Sequence, residues 1–334
     1  MCQRLNVLQD WLQTDLDIHA PQLVAITNDA SFRRYFRVAV NGVSHIIMDA
    51  PPDKEDCGPF IDVAQRLRKS GLNAPQIIAS NFSLGFLLLT DFGSQLYLPA
   101  LTEDRVESLY GEALKALDVM QTRTESGGLP LYDHHLLHRE MNLFTNWLLG
   151  KHLNISLSEA EQALMEGCFE LLSTNALAQP QVFVHRDYHS RNLMVVPQHN
   201  PGILDFQDAV KGPVTYDLVS LLRDCYIAWP RERVNGWAKG YYAQVQPAGI
   251  LNGVDEAQFL RWFDWMGIQR HLKASGIFAR LYHRDGKVGY LKDIPRTLNY
   301  IVEVGADYPE LAFLYELASK RVLPAFSVRS DRFQ

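Results

Sequence analysis

Short apolar runs separated by turn residues fill roughly the first 90 positions of this 334-residue chain. Leu23–Ile26, Tyr35–Val40, His45–Met48, Gln76–Ala79 and Phe86–Leu89 have the length and composition of strands. Among them only Pro59–Ser70, closed by Gly71, carries helical spacing, and an amphipathic helix ending near Leu16 precedes them all. From about residue 102 helical periodicity takes over, in Glu103–Thr122, Leu136–Gly150 and Ser158–Ala178. It is interrupted by the apolar run Val182–Val184 and by two more, Leu193–Val196 and Gly202–Leu204, joined by the polar turn Pro197–Asn200. That order predicts an α+β, bilobal chain: a small β-rich N-lobe at residues 1–92 and a larger, mostly helical C-lobe at 93–334.

Composition narrows the class. A hydrophobic content of 47% with 21% charged residues is that of an ordinary globular protein able to bury a sizeable core. The net charge of -6 argues against a broad basic face for nucleic acid and against a polybasic membrane anchor. No apolar run approaches the roughly 18–20 residues that span a bilayer, and Met1–Asn6 lacks the apolar core of a secretory signal, so a cytoplasmic chain is expected. Cys2, Cys57, Cys168 and Cys225 lie far apart with no CxxC pair, the pattern of reduced thiols rather than a cysteine zinc site. A monomer is expected, with small-molecule partners only.

The chemistry concentrates in residues 185–208. Asp187 and Asn192 stand five apart, as in the H-R-D-x-x-x-x-N loop of kinases, and Asp205 follows 13 residues after Asn192. Phosphoryl transfer asks for little covalent chemistry: oxygen ligands for magnesium and one carboxylate facing the incoming hydroxyl. Carboxylate and amide oxygens suit that hard cation, so Asn192 and Asp205 are the candidate metal ligands and Asp187 the candidate catalytic base. A hairpin between them can return Asn192 and Asp205 to one end. The set points to a protein-kinase-like fold using ATP and Mg2+.

The N-lobe departs from that pattern. The first hairpin turn, from Thr27 through Ser31, Phe32, Arg33 and Arg34 to Val38, has no glycine, although Ala30 and Ser31 are small and Arg33 and Arg34 offer bidentate donors to phosphate. The strand that should carry a phosphate-pairing lysine has Met48 instead. Asp91-Phe92-Gly93 spells a kinase metal motif but precedes the catalytic loop by about 95 residues; its place fits the connection between lobes, where backbone from Leu89 to Asp91 would bond an adenine. Ser31, Arg33, Arg34 and Asp91 are therefore the candidate nucleotide-binding residues.

With both lobes placed, the chain resembles the aminoglycoside phosphotransferase family, whose loop reads HGDxHxxN followed by D-x-x-[DE]. His185-Arg186-Asp187-Tyr188-His189-Ser190-Arg191-Asn192 and Asp205-Phe206-Gln207-Asp208 match it. His189 and the segment Gly212–Leu221 set it apart from protein kinases. Within the family the runs Ser31–Phe36, Met48–Pro52, Ser220–Cys225, Gln269–Lys273, Gly276–Leu281 and Arg284–Lys287 are similar to a branch of bacterial anomeric amino-sugar kinases. That resemblance implies ATP-dependent phosphorylation of the anomeric hydroxyl of N-acetylmuramate or N-acetylglucosamine in cell-wall sugar recycling, and a lysine-free strand shared by the branch. It makes His189, Arg223, Asp224, Arg270 and the rest of Gln269–Lys273 candidates for sugar contacts.

Two other readings stay open. An aminoglycoside or aminoalcohol kinase would need an acidic pocket, against which the basic residues between Arg270 and Arg284 weigh; a nucleotide-binding pseudokinase is suggested by Met48 and the glycine-free turn. His134 and His138 stand one helical turn apart beside His135, but Glu140 lies off their face and no further ligand is evident. Trp229, near Arg223–Cys225, is the tryptophan best placed for a sugar face.

Overall fold

The alternating N-terminal runs form one antiparallel sheet in a computed structural model that describes residues 2–26 and 32–330. Helix α1 (Cys2–Thr14) is followed by β1 (Val24–Ile26), β2 (Arg34–Val40) and β3 (Val43–Asp49), then α2 (Gly58–Lys69), β4 (Ile77–Asn81) and β5 (Phe86–Thr90). The strand order is β1-β2-β3-β5-β4. Alternation decides which face is covered: Phe36 and Val38 of β2, Ile47 of β3 and Phe86 and Leu88 of β5 pack against Leu8, Trp11 and Leu12 of α1. In α2, Phe60, Val63, Ala64 and Leu67 are buried, an i, i+3, i+4, i+7 stripe, with Pro59 in the first turn.

The chain continues through α3 (Tyr97–Ala100), α4 (Val106–Arg123), α5 (His134–Leu143) and α6 (Glu159–Leu177). The single helix expected over Leu136–Gly150 is in fact α5, capped by Asp133 accepting from Leu136 N at 2.8 Å, running on into a π-helical stretch Phe144–Leu153. Four strands follow: β6 (Gln181–Val184), β7 (Leu193–Met194), β8 (Gly202–Ile203) and β9 (Val210–Pro213), with β6 paired to β9 and β7 to β8. Then come α7 (Tyr216–Leu222), α8 (Arg231–Val245), the 30-residue α9 (Glu256–Asp285), α10 (Ile294–Gly305) and shorter helical segments to Ser330. Among the described residues no helix is long and apolar enough to cross a membrane.

The backbone groups into two compact units, Met1–Glu112 with Asn192–Asp208, and Ala113–Arg191 with Ala209–Gln334. In the first, the β7–β8 hairpin is tied to the sheet's connections: Ile203 N donates to Asn73 O at 2.8 Å and Val195 N to Gln95 O at 2.7 Å. Gly202 lies flat on the Phe92 ring, where an added Cβ would sit 2.7 Å from a ring carbon. In the second, α9 is the central rod, its Trp265, Ile268, Leu272 and Phe278 in one core with Met141, Phe144, Phe169 and Leu298.

In that core α9 passes close to the backbone of the α5 end at Gly276. A Cβ there would meet the Leu143 carbonyl carbon at 2.2 Å and Phe144 N at 2.5 Å, and backbone cannot swing aside. Gly276→Ala is expected to cost about 1–3 kcal/mol or more of unfolding free energy. Gly240→Ala in α8, with nothing within 4 Å of the added methyl, should instead stabilise by up to about 1 kcal/mol. Urea denaturation distinguishes them; equal shifts would contradict the packing described.

Candidate active site

The loop His185–Arg191 leaves β6 and is held at both ends by carboxylates that flank α7. Asp217 accepts from His185 N at 2.6 Å and Arg186 N at 3.0 Å; Asp224 accepts from Ser190 N at 2.9 Å and Ser190 Oγ at 2.5 Å, and its other oxygen from Tyr226 N at 2.9 Å. Both carboxylates are fully buried. Burial pushes the Asp217 carboxyl up to about 7, against the two backbone donors that favour its ionised form. Tyr188, also buried, donates to Ala113 O at 2.9 Å, and Asp187 N donates to His185 Nδ1 at 3.2 Å. Arg186 takes φ +76°, a left-handed conformation that costs a side-chain-bearing residue of the order of 1–3 kcal/mol. Its guanidinium is anchored on Glu140 of α5, which also accepts from Tyr132 Oη and lies 3.4 Å from Lys273 Nζ.

This anchoring turns Asp187 toward a cavity of about 90 Å3. Its α9 wall is a single stripe, Arg270, Lys273, Ala274, Ile277 and Phe278, at i, i+3, i+4, i+7 and i+8; His189, Tyr216 and Tyr226 complete the chemistry around Asp187. Lys273 Nζ donates to Tyr216 Oη at 2.8 Å, and Arg270 NH1 lies 3.4 Å from Cys225 Sγ. Burial alone would raise the Asp187 carboxyl, but the charges of Lys273, His189, Arg186 and Arg270 outweigh it and bring it down to about 2. Asp187 is therefore a carboxylate at neutral pH, in a pocket whose other charged groups are cationic.

The first unit holds the second half of the motif. The β7–β8 hairpin brings Asn192 and Asp205 together, Asn192 Nδ2 donating to Asp205 Oδ2 at 3.3 Å, while Asp205 Oδ1 accepts from Gln207 Nε2 at 2.8 Å. Asp205 sits at φ +61°, a left-handed position that aspartate tolerates better than most. Asn192 and Asp205 offer a carbonyl and a carboxylate, oxygen donor types that fit a hard divalent cation, although here the amide turns its nitrogen rather than its oxygen to Asp205. Arg33 is buried and pairs with Glu55 at 3.0 Å, whose other oxygen accepts from Phe32 N at 3.2 Å. Burial, opposed by Arg33 and reinforced by the charge of Asp205, pushes the neighbouring Tyr35 hydroxyl up to about 12. A larger hollow of about 560 Å3 in this unit is lined by Glu55, Asp56 and Asp62 with no cation, a poor match for phosphate.

The expected site residues separate accordingly. Asp187, His189 and Arg270 meet in the helical unit's cavity, and Asn192 meets Asp205 in the other. Arg223 does not reach the cavity: its guanidinium pairs with Asp264 and lies 4.3 Å over the Phe263 ring. Asp224 is occupied in holding the loop, and Trp229 packs edge-on against Trp237 at 6.1 Å. Arg34 is committed to the fully buried Asp49, which it shares with Arg4. Asp91 takes hydrogen bonds from Arg37, Ser44 and Gly93 N; burial opposes its ionisation, but these donors hold its carboxyl below the usual range. Ser31 lies outside the described residues. The loop anchors Asp217 and Glu140 were not anticipated as such, though an aspartate within the apolar run Tyr216–Leu222 is itself a signal of a satisfied buried charge.

Comparison with known proteins agrees with the geometry. A family model described as the phosphotransferase enzyme family matches residues 22–260. An N-acetylmuramate/N-acetylglucosamine kinase of Pseudomonas aeruginosa is 46% identical over 324 residues, 94% of this chain and 96% of that protein. One from Pseudomonas putida is 45% identical over 327 residues, 95% and 96% of the two chains. Among solved structures, an ethanolamine kinase of Plasmodium vivax superposes with a TM-score of 0.64 over 88% of each chain at 10% identity, a likeness of fold. The fold is the protein-kinase-like one expected, a β-sheet part followed by a mostly helical part.

The charge balance at Asp187 has a titration consequence. A carboxyl at about 2 in the folded state and about 3.9 unfolded contributes stability above roughly pH 4 that is lost as pH falls through 2. Lys273 is the first of the charges holding it down. In Lys273→Met burial is less opposed, so the Asp187 carboxyl should rise into or above the ordinary range near 4. Carbon-detected NMR of aspartate carboxyls should find no Asp187 titration above pH 4 in the wild type and a clear one in the variant. Identical curves would remove Lys273 from the account.

Proposed function

The chain belongs to the phosphotransferase enzyme family, and from that premise we propose that it transfers the γ-phosphoryl of ATP to the anomeric hydroxyl of N-acetylmuramate or N-acetylglucosamine. The bacterial relatives it matches along nearly its whole length are named N-acetylmuramate/N-acetylglucosamine kinases. The observation that carries the reading at residue level is the ionised Asp187 in a cavity whose other charges are Lys273 and Arg270, with His189 beside them. An aminoglycoside or aminoalcohol is a cation and would be repelled there. A sugar with a lactyl carboxylate is matched.

In this reading Asp187 accepts the hydrogen bond of the anomeric hydroxyl and orients its oxygen for attack. With a pKa of about 2 it is a weak base, which suffices because a loose phosphoryl-transfer transition state needs little nucleophile charge until late. The hemiacetal hydroxyl is also more acidic than an ordinary alcohol. Arg270 and Lys273 face the carboxylate of N-acetylmuramate, and Ile277 and Phe278 give apolar surface to the ring or acetyl methyl. Asn192 and Asp205 would hold the divalent ion, Mg2+ by their oxygen donors, and that ion would neutralise charge on the nucleotide's phosphates. Arg33, buried on Glu55, stands in for the missing strand lysine, while Met48 is a fully buried core residue of β3. The cytoplasm, where ATP and reduced thiols are found, is the compartment this chemistry suits.

Turnover with N-acetylmuramate, N-acetylglucosamine, choline and kanamycin tests the substrate class. Phosphorylation of either amino sugar, lowered about 10²–10⁴-fold by Asp187→Asn with ATP still bound, is expected; turnover of only the cationic acceptors, or of none, would overturn the reading. Arg270→Ala should cost N-acetylmuramate about tenfold to hundredfold more than N-acetylglucosamine in kcat/KM, the worth of one charge-assisted hydrogen bond.

The two arginines separate by readout. Arg33→Met is expected to raise the KM for ATP and lower kcat, whereas Arg34→Met, which leaves the buried Asp49 to Arg4 alone, should lower the unfolding midpoint with little change in KM. The reverse pattern would exchange their roles.

A further inference from the structure

The histidine pair that opens α5 acquires a third donor that sequence spacing does not reveal. Glu170 of α6 brings Oε2 to 2.8 Å from His134 Nε2 and 3.6 Å from His138 Nε2, and all three donor atoms lie within 4.8 Å of one another. We propose that His134, His138 and Glu170 form a binding site for a divalent transition metal of the zinc type, bridging α5 and α6.

The surroundings are those of a metal site rather than of two loose ion pairs. Glu166, one turn before Glu170 on α6, lies 3.2 Å from His138 Nδ1. A carboxylate there takes the Nδ1 proton and leaves the lone pair on Nε2, the outer-shell arrangement that orients metal-bound imidazoles. His138 Nε2 is out of contact with water and makes no hydrogen bond, so in this arrangement a buried acceptor is aimed at Glu170 with nothing to satisfy it. The second oxygen of Glu170 is within 3.5 Å of Thr174 Oγ1, which leaves Oε2 for the ion. The two imidazoles stack with centroids 4.1 Å apart, so taking up an ion requires the exposed His134 ring to turn until both Nε2 lone pairs converge, while Phe169 meets His138 edge-on at 6.1 Å.

Ligand type selects the metal. Ligand bonds of about 2.0–2.2 Å in a tetrahedral shell place donors roughly 3.3–3.6 Å apart; the separations of 2.8 Å and 3.6 Å from Glu170 are close to that, while the set as a whole, within 4.8 Å, closes by side-chain rotation on binding. Two imidazoles and one carboxylate favour zinc, copper or nickel over magnesium or calcium. With His134 and Glu170 exposed, water would complete the shell. The ion would clamp α5, the helix whose Glu140 anchors Arg186 and Lys273.

Zn2+ alone is the probe, titrated into the tag-free full chain against a chromophoric chelator, with Co2+ read by its visible absorption. One equivalent bound, a tetrahedral Co2+ band and a rise of several degrees in the unfolding midpoint at a hundredfold excess over Kd are expected. His138→Ala and Glu170→Ala should abolish all three, and Glu166→Gln should weaken binding about tenfold to hundredfold. Sugar-kinase turnover unchanged in these variants would report that they fold. Failure of the wild type to take up Zn2+, or an equivalent still bound by both His138→Ala and Glu170→Ala, would overturn the proposal.

Discussion

The attraction between the Asp187 carboxylate and Lys273 works against the desolvation of both groups, and the helical unit is arranged so that attraction prevails. Burial on its own would neutralise Asp187; Lys273, His189, Arg186 and Arg270 reverse that and leave it ionised well below neutral pH. Those cations are themselves short of water and need a counter-charge, which Glu140 supplies to Arg186 and Lys273 together. Burial resists the Glu140 charge as well, and the same two cations overcome it. Each charge in the set is tolerable only because the others are present, so deleting one leaves an uncompensated ion and costs more than any single pair is worth.

Such a network needs rigid supports, which is where the fold enters. Arg270, Lys273 and Ile277 share one face of α9 because, at about 3.6 residues per turn, positions i, i+3 and i+7 return to within about 60° of one another. Asp217 and Asp224 sit at either end of α7, seven residues apart, and fasten the two ends of the catalytic loop. Their hydrogen bonds offset the left-handed turn at Arg186, and that turn sends the guanidinium to Glu140 while Asp187 faces the cavity. The strain is local and the compensation is spread over two helices and a strand.

How much of this could be read from residues alone follows the range of the interactions. The hairpin that pairs Asn192 with Asp205 is local, the two standing 13 positions apart with turn chemistry at Pro197–Asn200, and its consequence was legible. So were the sheet strands, whose alternation is a property of a few consecutive positions, and helix α2, bounded by Pro59 and Gly71. Glu140 was not, because its partners Arg186 and Lys273 are 46 and 133 residues away and nothing local marks it as buried. Arg223 shows the opposite failure. An arginine inside an apolar stretch signals a buried partner, but the partner was Asp264 of α9 rather than a ligand, and spacing cannot tell the two apart. The change from α to π geometry at Phe144 is likewise set by packing.

The absent strand lysine is resolved by the same reasoning about partners. A cation meant for phosphate must be held in place by a carboxylate yet keep donors to spare. Arg34 fails the second condition: Nε and NH2 both address Asp49, a fully buried carboxylate shared with Arg4, so moving Arg34 would leave that charge to Arg4 alone. Arg33 meets the first, since Glu55 holds its NH2 at 3.0 Å, and it also hydrogen-bonds Tyr35, which feels the charge of Asp205. Guanidinium carries five donors in a plane, so one edge can rest on Glu55 while another addresses an oxyanion. A lysine on β3 would have to reach from the position that Met48 fills, where side chains pack between Leu87 and Tyr35 of the neighbouring strands. With the proposed phosphate cation at Arg33, just before β2, instead of at mid-strand, the Met48 position is left to the core.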